Sequence, residues 1–300
     1  MIQIPGGTFS MGSNDFYREE QPVHQVEVST FLLDRAPVTV EQFHRFVADT
    51  GYVTVAERAL NPSDYPGVRP ELLVPGALVF TPTQGPVPLH DPTLWWSWVA
   101  GASWRQTEGP GSDALVDRSE HPVTQVSYED AAAYARWAGK RLPTESEHEF
   151  AAHGGREGTL YAWGDERCLA GQHMANTWLG RFPYENSGLD GWVGTSPVGS
   201  FPANEYGAVD LIGNVWEWTA DRWTAHQPVV TRTPCCTPDV PRNADSGLAQ
   251  PRDTFVVKGG SHLCSPEYCL RYRPAARQPQ ERDTATSHMG FRCAQDFAAP

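Results

Sequence analysis

Apolar and polar residues alternate over Val26-Glu27-Val28, and the apolar run Phe31-Leu32-Leu33 follows, so residues 1–34 read as strands and turns. Phe43, Phe46 and Val47 then recur at helical spacing. Thr39 with Gln42 forms a capping-box signature ahead of them and Gly51 supplies a stop, which predicts a helix over 40–50. Ser127 with Asp130, and Thr144 with Glu147 behind Pro143, repeat the signature and predict helices over 128–138 and 145–152. Between 53 and 120 no period holds, but the stretch carries Trp95, Trp96, Trp98 and Trp104. A disordered segment would not hold four tryptophans, so a long ordered excursion is expected there. Beyond Gly154 helical signals vanish, and short strands such as Phe255-Val256-Val257-Lys258 lie among Gly, Pro, Asn and Trp. No repeat or low-complexity linker interrupts the chain, which reads as one α+β domain over 1–300 with little regular structure.

Composition sharpens that picture. The 300 residues are 40% hydrophobic, enough for a sizeable core. With 26 Pro and 27 Gly, much of the backbone must be irregular, held by aromatic packing or bound cations. No apolar run of membrane-spanning length occurs, and Met1-Ile2-Gln3-Ile4-Pro5-Gly6-Gly7 is not a secretory signal, so a cytoplasmic protein is expected. The net charge of −13 and the lack of a basic stripe argue against a nucleic-acid partner and suit cationic ligands, metal ions or a basic peptide. Six cysteines are too few for a disulfide scaffold; reduced thiols are more often metal ligands or reactive groups.

Three constellations could carry chemistry. In Gly259-Gly260-Ser261-His262-Leu263-Cys264-Ser265-Pro266-Glu267-Tyr268-Cys269, two thiols share a loop after a probable strand. Paired thiolates are soft donors that select copper(I) or zinc, or cycle with a disulfide. From spacing alone a zinc half-site, a redox pair and an inert pair all stay open, although no second Cys/His pair of finger spacing exists. Cys235 and Cys236 read as bystanders in a loop. In Asp210-Leu211-Ile212-Gly213-Asn214-Val215-Trp216-Glu217-Trp218, carboxylates flank a Gly turn, an oxygen-donor set that suits calcium. Asn176-Thr177 with Asp190-Gly191-Trp192 is a second oxygen-rich turn. Either alone is more often a solvated turn. Glu147-His148-Glu149-Phe150-Ala151-Ala152-His153 is a near miss to the zinc-protease motif. Its two His are five apart, rotated by roughly 140° on a helix, which predicts two partly exposed His rather than ligands. No serine-nucleophile elbow or phosphate-cradling loop is present, which weakens hydrolase and nucleotide-enzyme readings.

Four further segments matter together: Ile4-Pro5-Gly6-Gly7-Thr8-Phe9 with Met11-Gly12; Trp137-Ala138-Gly139-Lys140-Arg141-Leu142-Pro143-Thr144-Glu145; Gly213-Asn214-Val215-Trp216-Glu217-Trp218; and Gly290-Phe291-Arg292-Cys293. With Gly259-Gly260-Ser261, Cys264 and Cys269, then Arg271-Tyr272-Arg273 and Ala275-Ala276-Arg277, the chain resembles the formylglycine-generating enzymes of the sulfatase-modifying-factor superfamily. The resemblance implies a C-type-lectin-like fold. It implies copper(I) held by Cys264 and Cys269, with room for the cysteine of an unfolded sulfatase Cys-x-Pro-x-Arg segment. That cysteine would be oxidised to formylglycine with O2 and a thiol reductant. Ser261 and Trp216 match catalytic-pocket residues, Tyr268 a substrate-binding one, and Trp95 and Trp96 the peptide groove. Two calcium sites are implied as well: Asn176 and Asp190 with the carbonyls of Thr177 and Trp192, and Asp210 and Glu217 with the carbonyls of Gly213 and Val215. A monomer is expected.

The departures are informative. The two disulfides of secreted relatives would involve positions occupied here by Ala135, Ala152, Pro274 and Cys293. Neither bridge can form, so Cys293 is expected to be a free buried thiol in a reducing compartment. An acidic groove residue of those relatives falls at Asn61. Of the alternatives, an iron sulfoxide synthase needs a His-rich site that is not visible. A calcium-stabilised, lectin-like binding module has no reason to keep the Cys264/Cys269 pair.

Overall fold

A computed structural model describes residues 1–64, 67–69, 73–224 and 253–298; Cys235 and Cys236 lie outside them. The chain opens with β1 (Ile2–Ile4), β2 (Gly7–Met11), β3 (His24–Val28) and β4 (Phe31–Leu33), the strands and turns expected from the alternation. β2 and β3 form an antiparallel ribbon. α1 (Val40–Thr50) follows as predicted. Thr39 Oγ1 accepts the Gln42 N–H at 3.2 Å while the Thr39 N–H donates to Gln42 Oε1 at 3.0 Å, and Gly51 closes the helix in the left-handed region.

The aperiodic excursion is ordered, but it is not all irregular. β5 (Gly76–Phe80) and β6 (Trp96–Ala100) pair antiparallel across a long loop, and α2 (Ala114–Asp117) is a single turn capped by Asp113. The strands escaped the sequence reading because each is short and β6 puts several side chains outward rather than alternating. α3 (Tyr128–Trp137) and α4 (Glu145–His153) fall within a residue of their predicted ends, and both have the reciprocal cap. After the small hairpin of β7 (Cys168–Leu169) and β8 (Gln172–His173), the remaining strands are β9 (Trp216–Arg222), β10 (Thr254–Lys258), β11 (Arg277–Glu281), β12 (Met289–Gly290) and β13 (Ala294–Asp296).

The main sheet has the order β11-β10-β9-β12, antiparallel except where β12 runs beside β9. A second sheet, β1-β4-β13, ties strands from the two ends of the chain to one neighbour. Helix α4 packs against both β2-β3 and β9-β10, so it is covered on two sides. This overturns the expectation for His148, which is fully buried because a helix wedged between two sheets has almost no solvated face, while His153 at the helix end keeps partial exposure. Their divergence does hold: His148 Nε2 lies 3.4 Å from Glu217, whereas the His153 ring sits edge-on to Phe9.

The core is aromatic, with the Phe43 ring packed on Phe46, Trp104, Tyr134 and Phe291. It also holds ion pairs. Arg292 grips Glu217 with two hydrogen bonds of 2.6 and 2.7 Å, Arg273 grips Glu20 at 3.0 and 2.6 Å, Arg277 grips Glu145 at 2.7 and 3.0 Å, and Lys258 meets Glu149 at 2.6 Å. Buried charges are tolerable only when paired and hydrogen-bonded in this way. Cys293 is a free, buried thiol whose pKa burial pushes up, as expected where its disulfide partner is lacking. Among the described residues, no helix is long and apolar enough to cross a membrane.

Candidate active site

The loop that follows β10 begins with two glycines in left-handed conformation, Gly259 (φ 90°) and Gly260 (φ 73°). A Cβ on Gly259 would lie 2.7 Å from the Leu211 carbonyl oxygen, and one on Gly260 2.7 Å from that of Arg271. Only glycine fits this backbone at these approaches. The chain therefore reverses sharply, and residues 261–271 fold back on themselves. Two successive turns follow: the Cys264 N–H donates to the Ser261 carbonyl at 2.9 Å, and the Cys269 N–H to that of Ser265 at 2.7 Å.

These turns bring the two sulfurs to 3.4 Å without a disulfide between them. The Ser261 N–H donates to Cys264 Sγ at 3.4 Å, and Arg271 Nη1 lies 3.9 Å from Cys269 Sγ. The Trp178 N–H fixes the Cys264 carbonyl at 3.0 Å. The donor chemistry fits a soft monovalent ion: two sulfurs in contact, walled by aromatic residues. Both cysteines are 0% exposed, so the pair is sealed in this conformation.

Of the residues expected around the pair, Trp216 is buried in the same cluster as both cysteines, at the start of β9. Ser261 is buried and contacts Cys264 through its backbone. Trp95 and Trp96 are buried, in an aromatic layer with Trp178, Phe182 and Leu263. Tyr268 links that layer to the thiol cluster: it is half-buried, stacked on Phe182 at 4.6 Å and edge-on to Trp95 at 5.6 Å. The indole N–H groups of Trp95, Trp96, Trp178 and Trp216 are buried with no protein partner among the described residues.

Two histidines escaped the sequence reading. His262 Nδ1 lies 2.8 Å from the Asn214 carbonyl, and since a carbonyl only accepts, Nδ1 carries the proton. Burial pulls its pKa down to about 4. His288, held by Thr286 at 2.8 Å and packed on Trp96, is pushed well below the usual range by burial and by His262. Both are therefore neutral imidazoles near pH 7. A lone His in a loop offers no pattern by which to find it.

The two oxygen-rich turns meet. The Asn214 N–H donates to the Asn176 carbonyl at 2.9 Å, and Gly213 (φ 77°) lies so close that a Cβ would sit 2.4 Å from that oxygen. Asp190 Oδ1 accepts the Trp192 N–H at 3.0 Å, and the Thr177 backbone also hydrogen-bonds this carboxylate. Asp190 Oδ2 is buried without a partner among the described residues, and burial raises the carboxyl pKa. Asn176 Nδ2 donates to the Gly194 carbonyl at 2.9 Å. That orphaned oxygen fits a hard cation. At the other turn, burial pushes the Asp210 carboxyl up to about 6 although the Gly199 N–H donates to it at 2.6 Å. Burial would raise Glu217 too, but Arg292 and His148 outweigh it and hold it low. Both Glu217 oxygens already serve Arg292, so a cation there would lean on Asp210 and on the carbonyls of Gly213 and Val215. Among the described residues no three His, Cys, Asp or Glu side chains gather as a metal cluster. Asn61 is exposed and caps its own turn by accepting the Ser63 N–H.

A family model for the sulfatase-modifying factor enzyme 1-like domain matches residues 1–297. The chain is 57% identical to a formylglycine-generating enzyme of Mycobacterium tuberculosis over 297 residues, covering 99% of this chain and 97% of that protein. It is 47% identical to a protein of the same name from Thermomonospora curvata, covering 99% and 93%. Among solved structures it is similar to PvdO from Pseudomonas aeruginosa, with a TM-score of 0.61 at 23% identity over 98% of this chain and 93% of that one, a likeness of fold.

Proposed function

The chain belongs to the sulfatase-modifying factor enzyme 1-like family, and from that premise we propose that it oxidises a cysteine of an unfolded sulfatase polypeptide to formylglycine. The observation that carries the reading is the pair of unbridged thiols 3.4 Å apart in a loop shaped by two obligatory glycines. Cys264 and Cys269 would hold copper(I), which when bound supplies the redox chemistry toward O2. The overall reaction balances with an external thiol. The substrate CH2–SH group loses two electrons to become a thioaldehyde, two thiols give two more on forming a disulfide, and O2 accepts all four with four protons to give two waters. One water then hydrolyses the thioaldehyde to the aldehyde and hydrogen sulfide.

This chain's own residues prepare that step. The Ser261 N–H holds Cys264 Sγ in place, and Trp216 and Trp178 close the walls and exclude water. The unpartnered indole N–H groups are donors in reserve for a polar guest. Since both sulfurs are sealed, a guest thiol needs an opening. Half-buried Tyr268, which borders the thiol cluster and the Trp95–Trp96 layer alike, is the ring that would yield. Calcium would be held by Asn176, Thr177, Asp190 and Trp192, and by Asp210, Gly213, Val215 and Glu217, bracing loops that lack regular structure. The enzyme would act as a monomer in a reducing cytoplasm, consistent with free Cys293.

The test incubates the protein with copper(I), O2, a thiol and a peptide containing Leu-Cys-Thr-Pro-Ser-Arg, followed by mass spectrometry. Conversion of thiol to aldehyde is expected, with much slower conversion of a peptide lacking the Pro and Arg. Absence of aldehyde would refute the activity, and equal rates on both peptides would remove the motif. Removing calcium with a chelator is expected to lower the melting temperature; an unchanged melt would make both oxygen-rich turns ordinary loops.

A further inference from the structure

The back of the thiol loop is fastened to a segment near the start of the chain. The Arg271 guanidinium lies 3.7 Å over the centre of the Tyr17 ring, and its Nη2 donates to Glu19 Oε1 at 2.5 Å. The remaining arm points at Cys269, with Nη1 3.9 Å from Sγ. The Tyr17 hydroxyl meanwhile accepts the N–H of Leu270, the residue next to Cys269, at 3.0 Å. One short segment thus grips Cys269 twice, through its backbone neighbour and through its charged contact.

Arg273, two residues on, is used differently. Its guanidinium sits 3.8 Å over Phe16, and its nitrogens go to both Glu20 oxygens and to the Leu270 carbonyl at 2.8 Å. That is a structural bolt. Arg271 is likewise clamped between a ring and a carboxylate, but its remaining N–H is aimed at sulfur rather than at a backbone carbonyl.

Building on the copper reading above, we propose that Tyr17 and Glu19 are positioning residues for Cys269, acting through Arg271. A guanidinium held on two sides cannot swing to another partner, so its charge stays beside the sulfur. An N–H···S contact of this length is weak for a neutral thiol and gains strength once the sulfur carries charge, as in a metal thiolate. The two sulfurs then differ in kind: Cys264 is met by the neutral Ser261 N–H, Cys269 by a fixed cation. Neither residue touches the reacting atoms, and nothing in the loop's own sequence points to them.

The experiment uses the full chain and two readouts that do not depend on turnover. The first is copper(I) affinity by anaerobic competition with a chromogenic chelator. The second, in the metal-free protein, is the ratio of Cys269 to Cys264 alkylation rates, mapped by mass spectrometry. Glu19→Gln and Tyr17→Leu are each expected to weaken copper(I) binding about tenfold and to change the alkylation ratio by about threefold or more. Tyr17→Phe keeps the ring and is expected to lose less, and Arg271→Lys is expected to recover part of what Arg271→Met loses. Glu20→Gln, which breaks the bolt instead, is expected to lower the melting temperature while the folded protein keeps its copper affinity within about twofold. The proposal is overturned if Glu19→Gln and Tyr17→Leu bind copper like the parent with an unchanged alkylation ratio, or lose affinity only in step with melting temperature as Glu20→Gln does. Should the parent itself fail to bind copper(I), the copper reading falls, and the alkylation ratio alone decides whether Cys269 is positioned in this way.

Discussion

Two buried regions of this molecule treat polar atoms in opposite ways. In the ionic frame around α4 and the main sheet, Arg292–Glu217, Arg277–Glu145, Lys258–Glu149 and Arg273–Glu20 are all closed by short hydrogen bonds. Around the thiols, four indole N–H groups are left without protein partners among the described residues. The frame's four ion pairs are closed while these neutral donors near the thiols stay open, so the two regions use their hydrogen-bonding groups differently. Open donors beside the thiols suit a polar guest, as the proposed function requires.

The contrast predicts opposite mutational signatures. The largest effect is expected from Cys269→Ser: turnover falls by about ten-thousandfold, while the thermal midpoint moves by only a few degrees, since a buried thiol becomes a hydroxyl of similar size. Wild-type turnover would break the division. In the frame, Arg292→Met strands the Glu217 charge and is expected to cost about 3–5 kcal/mol in urea unfolding, with the folded fraction still able to bind copper(I). A loss below 1 kcal/mol would show that the pair is not a keystone.

His262 tests the boundary, since it belongs to the thiol loop yet is satisfied like the frame. Its pKa is depressed by burial to about 4 from an ordinary 6.5. The neutral ring's contribution is therefore present above pH 6.5 and is lost as pH falls through about 4, because the unfolded chain takes up the proton first. His262→Gln, which keeps a donor but cannot titrate, is expected to flatten that acid limb by about 3 kcal/mol at pH 4. Parallel melting curves for the two proteins would show that the acid sensitivity arises elsewhere.

How legible was this in the sequence? The three longer helices were, because each has a reciprocal local cap: Thr39, Ser127 and Thr144 announce their own helix starts within three residues, whereas the single turn of α2 behind Asp113 was not read. The thiol pair was too, because both sulfurs ride on one loop. The frame was not, since Arg292 and Glu217 are 75 residues apart, Lys258 and Glu149 109, and Arg273 and Glu20 253. No local pattern links such charges, and any of them could equally have been a solvated surface residue. His148 was misplaced for the same reason: helical spacing fixes which side a residue faces, not whether a second sheet waits there. Trp95 and Trp96 were recognisable as ordered aromatics, but only their packing with Phe182 and Trp178 shows them to be buried.

The small sheet has a bearing on how the protein is made. β4 holds β1 on one edge and β13 on the other, so its second neighbour, residues 294–296, is synthesised long after residues 31–33. Until then the edge of Phe31–Leu33 stays open, a hydrogen-bonding template for any other strand. Residues 294–296 are thus the latch, and a truncation just before them that spares every cysteine would still leave a chain prone to sticking to its neighbours.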